Sequence, residues 1–262
     1  MANAILERGL DRAAQQPGWA VPAPPAPGDP SPTATRDGAM TIGGVGTATA
    51  AMLALVVIAG GFGWASVDSA APGEPVSLPS WLIIALLGAI GTAILTSFKP
   101  DLARFTAPIY ALLEGAVLGA ISKVYENEFE GIVVQAVGLT VLVFAAMLFL
   151  YSTRILKVTD KFRRIVVGAT LGLMAFYLVS ILLSVFDVQA PFIWDSGPIG
   201  IGFSLLVAGL AAFNLALDFD LAERGVRDGL PQRYEWFCAF ALVTSLVWLY
   251  LELLRLLSKL RD

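Results

Sequence analysis

The sequence predicts an all-α polytopic membrane protein, a seven-transmembrane-helix bundle behind a disordered proline-rich amino-terminal tail. Three observations predict it. Of 262 residues 57% are hydrophobic and only 15% charged, where an ordinary soluble domain has about 25% charged; the mean hydropathy is +0.75. The apolar residues fall in long unbroken runs, each near the roughly 20 residues that a helix needs to cross about 30 Å of hydrocarbon. The runs are joined by short segments such as "PGEPVSLPS", "SFKPD" and "VQAPFIWDSGP", whose prolines punctuate helix ends.

Residues 1–39 stand apart. "QQPGWAVPAPPAPGDPSPT" carries seven of the 15 prolines and little that builds a core, so this segment is read as a disordered, partly polyproline cytoplasmic tail. It lacks the basic start and short apolar core of a secretory signal. Apolar windows then predict spans at about 40–65, 80–98, 105–125, 131–152, 164–186, 197–217 and 235–257, one seven-helix domain over 40–262. No internal repeat supports an inverted-repeat transporter.

Basic residues set the orientation. Lys99, Arg104, Arg154, Lys157, Lys161, Arg163, Arg164, Arg224, Arg227 and Arg233 fall in the even-numbered loops, and Lys123 alone in the odd ones. Ten against one places the amino terminus in the cytoplasm and, after seven spans, the carboxyl terminus outside. Arg255, Lys259 and Arg261 near the carboxyl end weigh against this. Asp68, Glu74, Glu126, Glu128, Glu130, Asp187 and Asp195 make the opposite loops acidic, either to concentrate cations or simply for solubility.

Several classes of function are excluded by composition. With no histidine there is no imidazole metal site and no nucleophile activated by histidine, so no enzyme and no resident cofactor are expected. A net charge of −4 gives no footprint for nucleic acid. A retinal protein would need a lysine at mid-membrane in the last span, and Lys259 lies at its end. The lone cysteine, Cys238, lies in an apolar run, where a small buried hydrophobe is expected.

The informative residues are the polar ones inside the spans. A carboxylate at mid-membrane costs about 2.5–3.5 kcal/mol on insertion scales, so it faces protein or water and finds a partner or a proton. Glu114 sits near the middle of "APIYALLEGAVLGAISKVY", followed by Gly115 and Gly119 in a small-xxx-small spacing that admits a close helix neighbour; a packing role for a neutral Glu114 is the alternative. In the sixth span Ser204, Ala208, Ala211, Asn214 and Asp218 recur at spacings of three and four, one small and polar stripe. Asp220 is placed on the surface against Arg224, and Glu223 against Arg227. Asp218, read as lying at the helix carboxyl end where the dipole disfavours an anion, is the strongest single candidate. In the seventh span Glu235, Cys238, Leu242, Ser245, Leu249 and Glu252 form a seam. Glu235 is expected near Asp218, a pair suited to share a proton or hold a calcium ion; Glu252 is expected at the far membrane edge, solvated and paired with Arg255.

"YALLEGAVLGAISKVYE", "LALDFDLAERG" and the ending "WLYLELLRLL" together resemble the Bax inhibitor-1 family of transmembrane Bax inhibitor motif proteins, in its bacterial branch, over about residues 40–260. The resemblance implies a seven-helix protein of the bacterial cell membrane and a pH-sensitive calcium leak, with some bacterial members associated with a membrane protease. It places the family's sixth-helix aspartate on Asp218 and the Glu-Gly pair of this branch on Glu114 and Gly115. The second aspartate of the family's pH-sensing pair falls near Ser245, so that pair is incomplete here. Two functions follow. One is a pH-gated calcium or cation leak with Asp218 as gating carboxylate and Glu114, Glu235, Asn214 and Ser245 along the path, with Asp218 and Glu114 as the calcium ligands. The other is a non-conducting protein that regulates a membrane protease or another membrane complex through its proline-rich tail.

Overall fold

A computed structural model describes residues 38–70, 76–184 and 196–261. The proline-rich segment before Gly38 and the acidic loop residues Glu74, Asp187 and Asp195 lie outside them. The described chain forms seven long helices: α1 (Ile42–Ala65), α2 (Trp81–Phe98), α3 (Ala103–Glu128), α4 (Ile132–Ser152), α5 (Asp160–Ser184), α6 (Pro198–Arg227) and α7 (Tyr234–Arg261), with a single 3₁₀ turn at Pro100–Leu102. All seven are long and apolar enough to cross a membrane.

The helices alternate in direction, which is visible in the contacts at each end. On one face, which we call the amino-terminal face, Arg233 Nε lies 2.7 Å from Asp101 Oδ1 and joins the α6–α7 and α2–α3 connections. On the opposite face Arg261 Nη1 donates to the Glu130 carbonyl at 2.9 Å, and Asn127 Nδ2 donates to the Asp68 carbonyl at 3.1 Å. The termini of the seven-helix unit therefore lie on opposite faces, as an odd number of spans requires.

Helix α7 is the hub, packing against α1, α3, α4 and α6. Two-thirds of its apolar window (67%) is buried, against 17% for α2, α4 and α5, which marks those three as the lipid-facing rim. Their outward faces carry large apolar side chains such as Ile84, Val134 and Ile181. In lipid such exposure costs nothing, and close packing rather than burial drives association. The tightest approach is between α1 and α3. A Cβ added at Gly119 would meet the Gly60 backbone, one at Gly63 would meet Ala116, and one at Gly115 would come 2.5 Å from the Val56 carbonyl oxygen. The small-xxx-small spacing at Gly115 and Gly119 thus finds its partner in α1.

Residues 38–41 fasten the start of the bundle to its end. Ala39 bridges Pro231 in antiparallel fashion, Gln232 N donates to the Gly38 carbonyl at 2.6 Å, and Met40 N donates to the Leu230 carbonyl at 2.8 Å. Gly38 and Ala39, assigned to the tail from sequence, are therefore paired residues of the bundle. Thr41 caps α1 by accepting from Gly44 N at 2.9 Å, and its own N–H donates to Glu235 Oε1 at 2.9 Å.

Helix α6 outruns its predicted end at about residue 217. It continues to Arg227 and stops where Gly229 takes φ +68°, with the Gly229 and Leu230 amides donating back to the Val226 and Gly225 carbonyls. The extra turns hold because their charges are paired across the bundle. Asp220 takes Arg163 at 2.7 Å as well as Arg224. Glu223 takes Arg154 at 2.5 Å and the Tyr151 hydroxyl at 2.5 Å, rather than the expected Arg227. Asp220 is consequently half-sunk among these groups and not on the open surface, because α5 brings Arg163 to it.

Candidate functional site

The small, polar stripe of α6 faces α7, and it delivers Asp218 to the α7 seam. All six seam residues are buried, from Leu249 at 1% exposure to Ser245 at 8%. Ser245 Oγ donates to Asp218 Oδ2 at 2.5 Å. Asp218 lies nine residues short of the end of α6, so it does not meet the helix carboxyl terminus and the expected dipole penalty is absent. What singles it out is a carboxylate inside the bundle with one short hydrogen bond.

Next to this pair lies a cavity of about 390 Å³ between α5, α6 and α7. It exists because α5 leans on α6 and leaves a gap towards α7. Thr170, Asn214, Thr244, Ser245, Tyr177 and Trp248 line it together with Leu173 and Met174, the last of them exposed. Asn214 Nδ2 donates to Thr170 Oγ1 at 2.9 Å and to the Leu210 carbonyl at 2.9 Å. Asp218, Ser245 and Asn214, three residues expected from sequence to act together, are thus gathered at one place.

Tyr177, which lines the cavity, also touches a second polar group, one that sequence reasoning placed at the solvated membrane edge. Glu252 is 3% exposed. Its Oε1 accepts from Arg255 Nη1 at 2.8 Å and from the Tyr177 hydroxyl at 3.4 Å. Arg255 Nη1 also donates to the Tyr177 hydroxyl oxygen at 3.0 Å, and the guanidinium lies near Tyr125 from α3. One turn further on, Lys259 is buried and donates to the Gly200 carbonyl at 3.1 Å. Glu252 does pair with Arg255 as expected, but inside the protein, because tyrosines from α3 and α5 close over the pair. Asp218, through Ser245, and Arg255, through Tyr177, each bond a residue that lines the cavity.

The remaining candidates lie elsewhere. Glu235 is buried against the first turn of α1, where it accepts from Thr41 N and from Thr41 Oγ1 at 3.2 Å. A carboxylate there offsets the positive end of α1. Cys238, one turn along, lies within electrostatic reach of both Glu235 and Asp218; Glu235 is bonded to Thr41 and Asp218 to Ser245. Glu114 is half-buried on α3, electrostatically close to Tyr110, and does not line the cavity. Tyr110 stacks edge-on to Phe240 at 5.0 Å between centroids, which ties this side of α3 to α7. Among the described residues no group of three or more acidic or cysteine side chains is placed to hold a metal. Of the acidic loop residues, Glu126 is committed to capping α4, accepting from Gly131 N at 2.7 Å and Val133 N at 3.1 Å.

Seven helices long and apolar enough to cross a membrane define a polytopic helical membrane protein. The chain matches the family described as Bax inhibitor 1 like over residues 6–262, essentially its whole length, and belongs to that family. No curated protein and no solved structure matches it.

Proposed function

We propose that the protein is a pH-sensitive cation leak of the bacterial cell membrane, passing calcium, with its amino terminus cytoplasmic and Asp218 as the responsive carboxylate. The observation that carries this reading is the hydrogen bond of 2.5 Å between Ser245 and Asp218 beside the cavity of α5, α6 and α7. An ionised Asp218 puts a full negative charge against Ser245, which lines the cavity. A protonated one withdraws that charge and becomes a donor, so occupancy of the cavity and the Ser245 bond change together. Oxygens of Ser245, Asn214, Thr244 and Thr170 would replace part of the hydration shell of a passing ion. The role involves no bond-making, in keeping with a chain that has no histidine.

The test is calcium flux into liposomes carrying wild type or Asp218→Asn, across roughly pH 5 to 8. Flux that depends on pH, with the dependence flattened by Asp218→Asn, is expected. Absence of flux from folded protein at every pH sinks the reading.

A second reading is favoured by one observation, the pairing of residues 38–41 with the α6–α7 connection. A partner that grips the proline-rich segment before Gly38, such as a membrane protease, would act directly on the loop between the two helices of the site. On this reading, deletion of residues 1–37 abolishes the cellular effect and Asp218→Asn leaves it intact.

A further inference from the structure

A second cavity, of about 450 Å³, lies on the opposite side of α7: Thr244, Ser245 and Trp248 line the first, Leu246, Val247 and Tyr250 the second. It exists because α1 and α4 both pack on α3 and α7 but hardly on each other. The glycines of the close crossing, Gly60 and Gly119 among them, leave part of its wall without side chains. Val57, Val137 and Val141 of its rim are exposed, so the groove opens sideways where lipid lies. From Leu53 to Trp64 it follows α1 for about 16 Å at the rise of a helix.

The hydroxyls in the wall are already bonded. Ser122 and Tyr250 bond each other at 2.6 Å, and Thr140 donates to the Ala136 carbonyl at 2.7 Å. Such a wall offers little to water or an ion and suits an apolar chain. Charge stands at one end only. Trp64 lines the groove near the carboxyl-terminal face, and Lys123 Nζ lies 5.2 Å from the centroid of its ring. Among the described residues no ion pair joins Lys123 to a carboxylate, and Glu126, one turn on, is bonded to the start of α4. Further out, Asn127 holds the Asp68 carbonyl, and Asp68, Glu128 and Glu130 are exposed at that face. A cation therefore sits beside the groove, with carboxylates beyond it.

We propose that the groove of α1, α3, α4 and α7 binds one phospholipid with a zwitterionic headgroup: an acyl chain lies along the glycines, the phosphodiester meets Lys123 beside Trp64, and the headgroup ammonium faces the outer carboxylates. Tryptophan and lysine are the residues that hold the headgroup level of a bilayer. A headgroup carrying only the phosphate charge would answer Lys123 but leave a net anion on an acidic face, whereas an ammonium answers that face as well. The groove shares no lining residue with the cavity beside Asp218, so the inference is independent of the leak reading.

The test titrates the full chain in mild detergent with phosphatidylethanolamine or phosphatidylglycerol of identical acyl chains and counts bound lipid by native mass spectrometry. The parent is expected to hold one phosphatidylethanolamine, and to hold it more tightly than phosphatidylglycerol. Gly61→Leu fills the groove from a position whose Cβ meets nothing within 4 Å; displacing even two or so methylenes weakens retention by more than about tenfold. Gly138→Leu makes the same change in open space on α4, away from the groove, and binds as the parent does. Lys123→Gln weakens retention by up to about fivefold and carries the test if Gly61→Leu does not fold. Equal retention by the parent and the folded variants overturns the proposal, and so does tighter binding of phosphatidylglycerol. A dimer that Gly61→Leu dissociates and lipid does not displace would give the groove to a second copy of the chain and equally overturn it.

Discussion

Gly119→Ala tests the crossing of α1 and α3, on which the position of the whole site rests. The added Cβ would lie 2.6 Å from the Gly60 carbonyl carbon and 2.8 Å from the Gly60 Cα, and closer still to its oxygen. Carbon atoms pack at about 3.5–4.0 Å, so the two helices must part by roughly 1 Å. The obstacle is backbone, which no rotamer change relieves. A gap of that size forfeits a quarter to a half of the dispersion energy at each contact it opens, and overpacking of this kind costs about 1–3 kcal/mol. Replacing glycine by alanine inside a helix also returns about 0.5–1 kcal/mol. Gly138→Ala provides the control, because it lies inside α4 with open space around its Cβ and receives the same return. The difference between the two variants isolates the overpacking, and equilibrium unfolding in detergent micelles should show Gly119→Ala less stable than Gly138→Ala by about 1–3 kcal/mol. Midpoints that coincide within about 0.5 kcal/mol would refute the reasoning, since surface-like substitutions differ by no more than that.

Three further outcomes are expected. Glu235→Ala strips the acceptor from Thr41 and the first turn of α1 and should cost about 1–2 kcal/mol of stability, while whatever pH response flux shows persists; loss of the pH response in a stable Glu235→Ala protein would make Glu235 part of the sensor. Ser245→Asp sets a second carboxyl against Asp218, close enough for the two to share a proton, so flux should vary more steeply with pH than in wild type; an unchanged or flatter profile from folded protein counts against Asp218 as the responsive group. Glu114→Gln should leave flux and its pH profile as they are, because Glu114 neither lines the cavity nor belongs to the Ser245–Asp218 pair; an altered profile would move the pathway towards α3.

The membrane spans were legible in the sequence because about 20 apolar residues in a row have few other fates. The end of α6 was not, because "DFDLAERGVR" reads as a departure from the membrane, and only Tyr151 of α4, Arg154 of the α4–α5 connection and Arg163 of α5 show why it stays helical. Within the site the stripe of α6 and the seam of α7 were both visible as periodicities, and their meeting at Asp218 and Ser245 follows from two polar faces packing together. The position of Ser245 had already been flagged as the place of a missing aspartate. Arg255, Lys259 and Tyr177 were missed for a physical reason: basic residues near the end of a last span normally reach water. Nothing in "LELLRLLSKL" announces that tyrosines from α3 and α5 will cover them. Glu235 was placed on the correct face of α7, but its partner is a helix start 194 residues earlier, beyond the reach of any local pattern.

That separation bears on how the protein is made. At about 5–20 residues per second, the ribosome needs roughly 10–40 s after Thr41 to deliver Glu235. For that interval α1 sits in the bilayer with its first amide unanswered by the chain's own carboxylate. The α1–α3 glycine crossing needs only some 60 residues and is available early, so a stable helical pair can wait in the membrane for the rest. Arrival of α7 then does two things in one insertion: it brings Glu235 to the start of α1 and Ser245 to Asp218. Until the last helix is in place the nascent protein has no finished cavity, and a chain truncated before residue 234 would keep the glycine-packed pair while lacking the partner of Asp218.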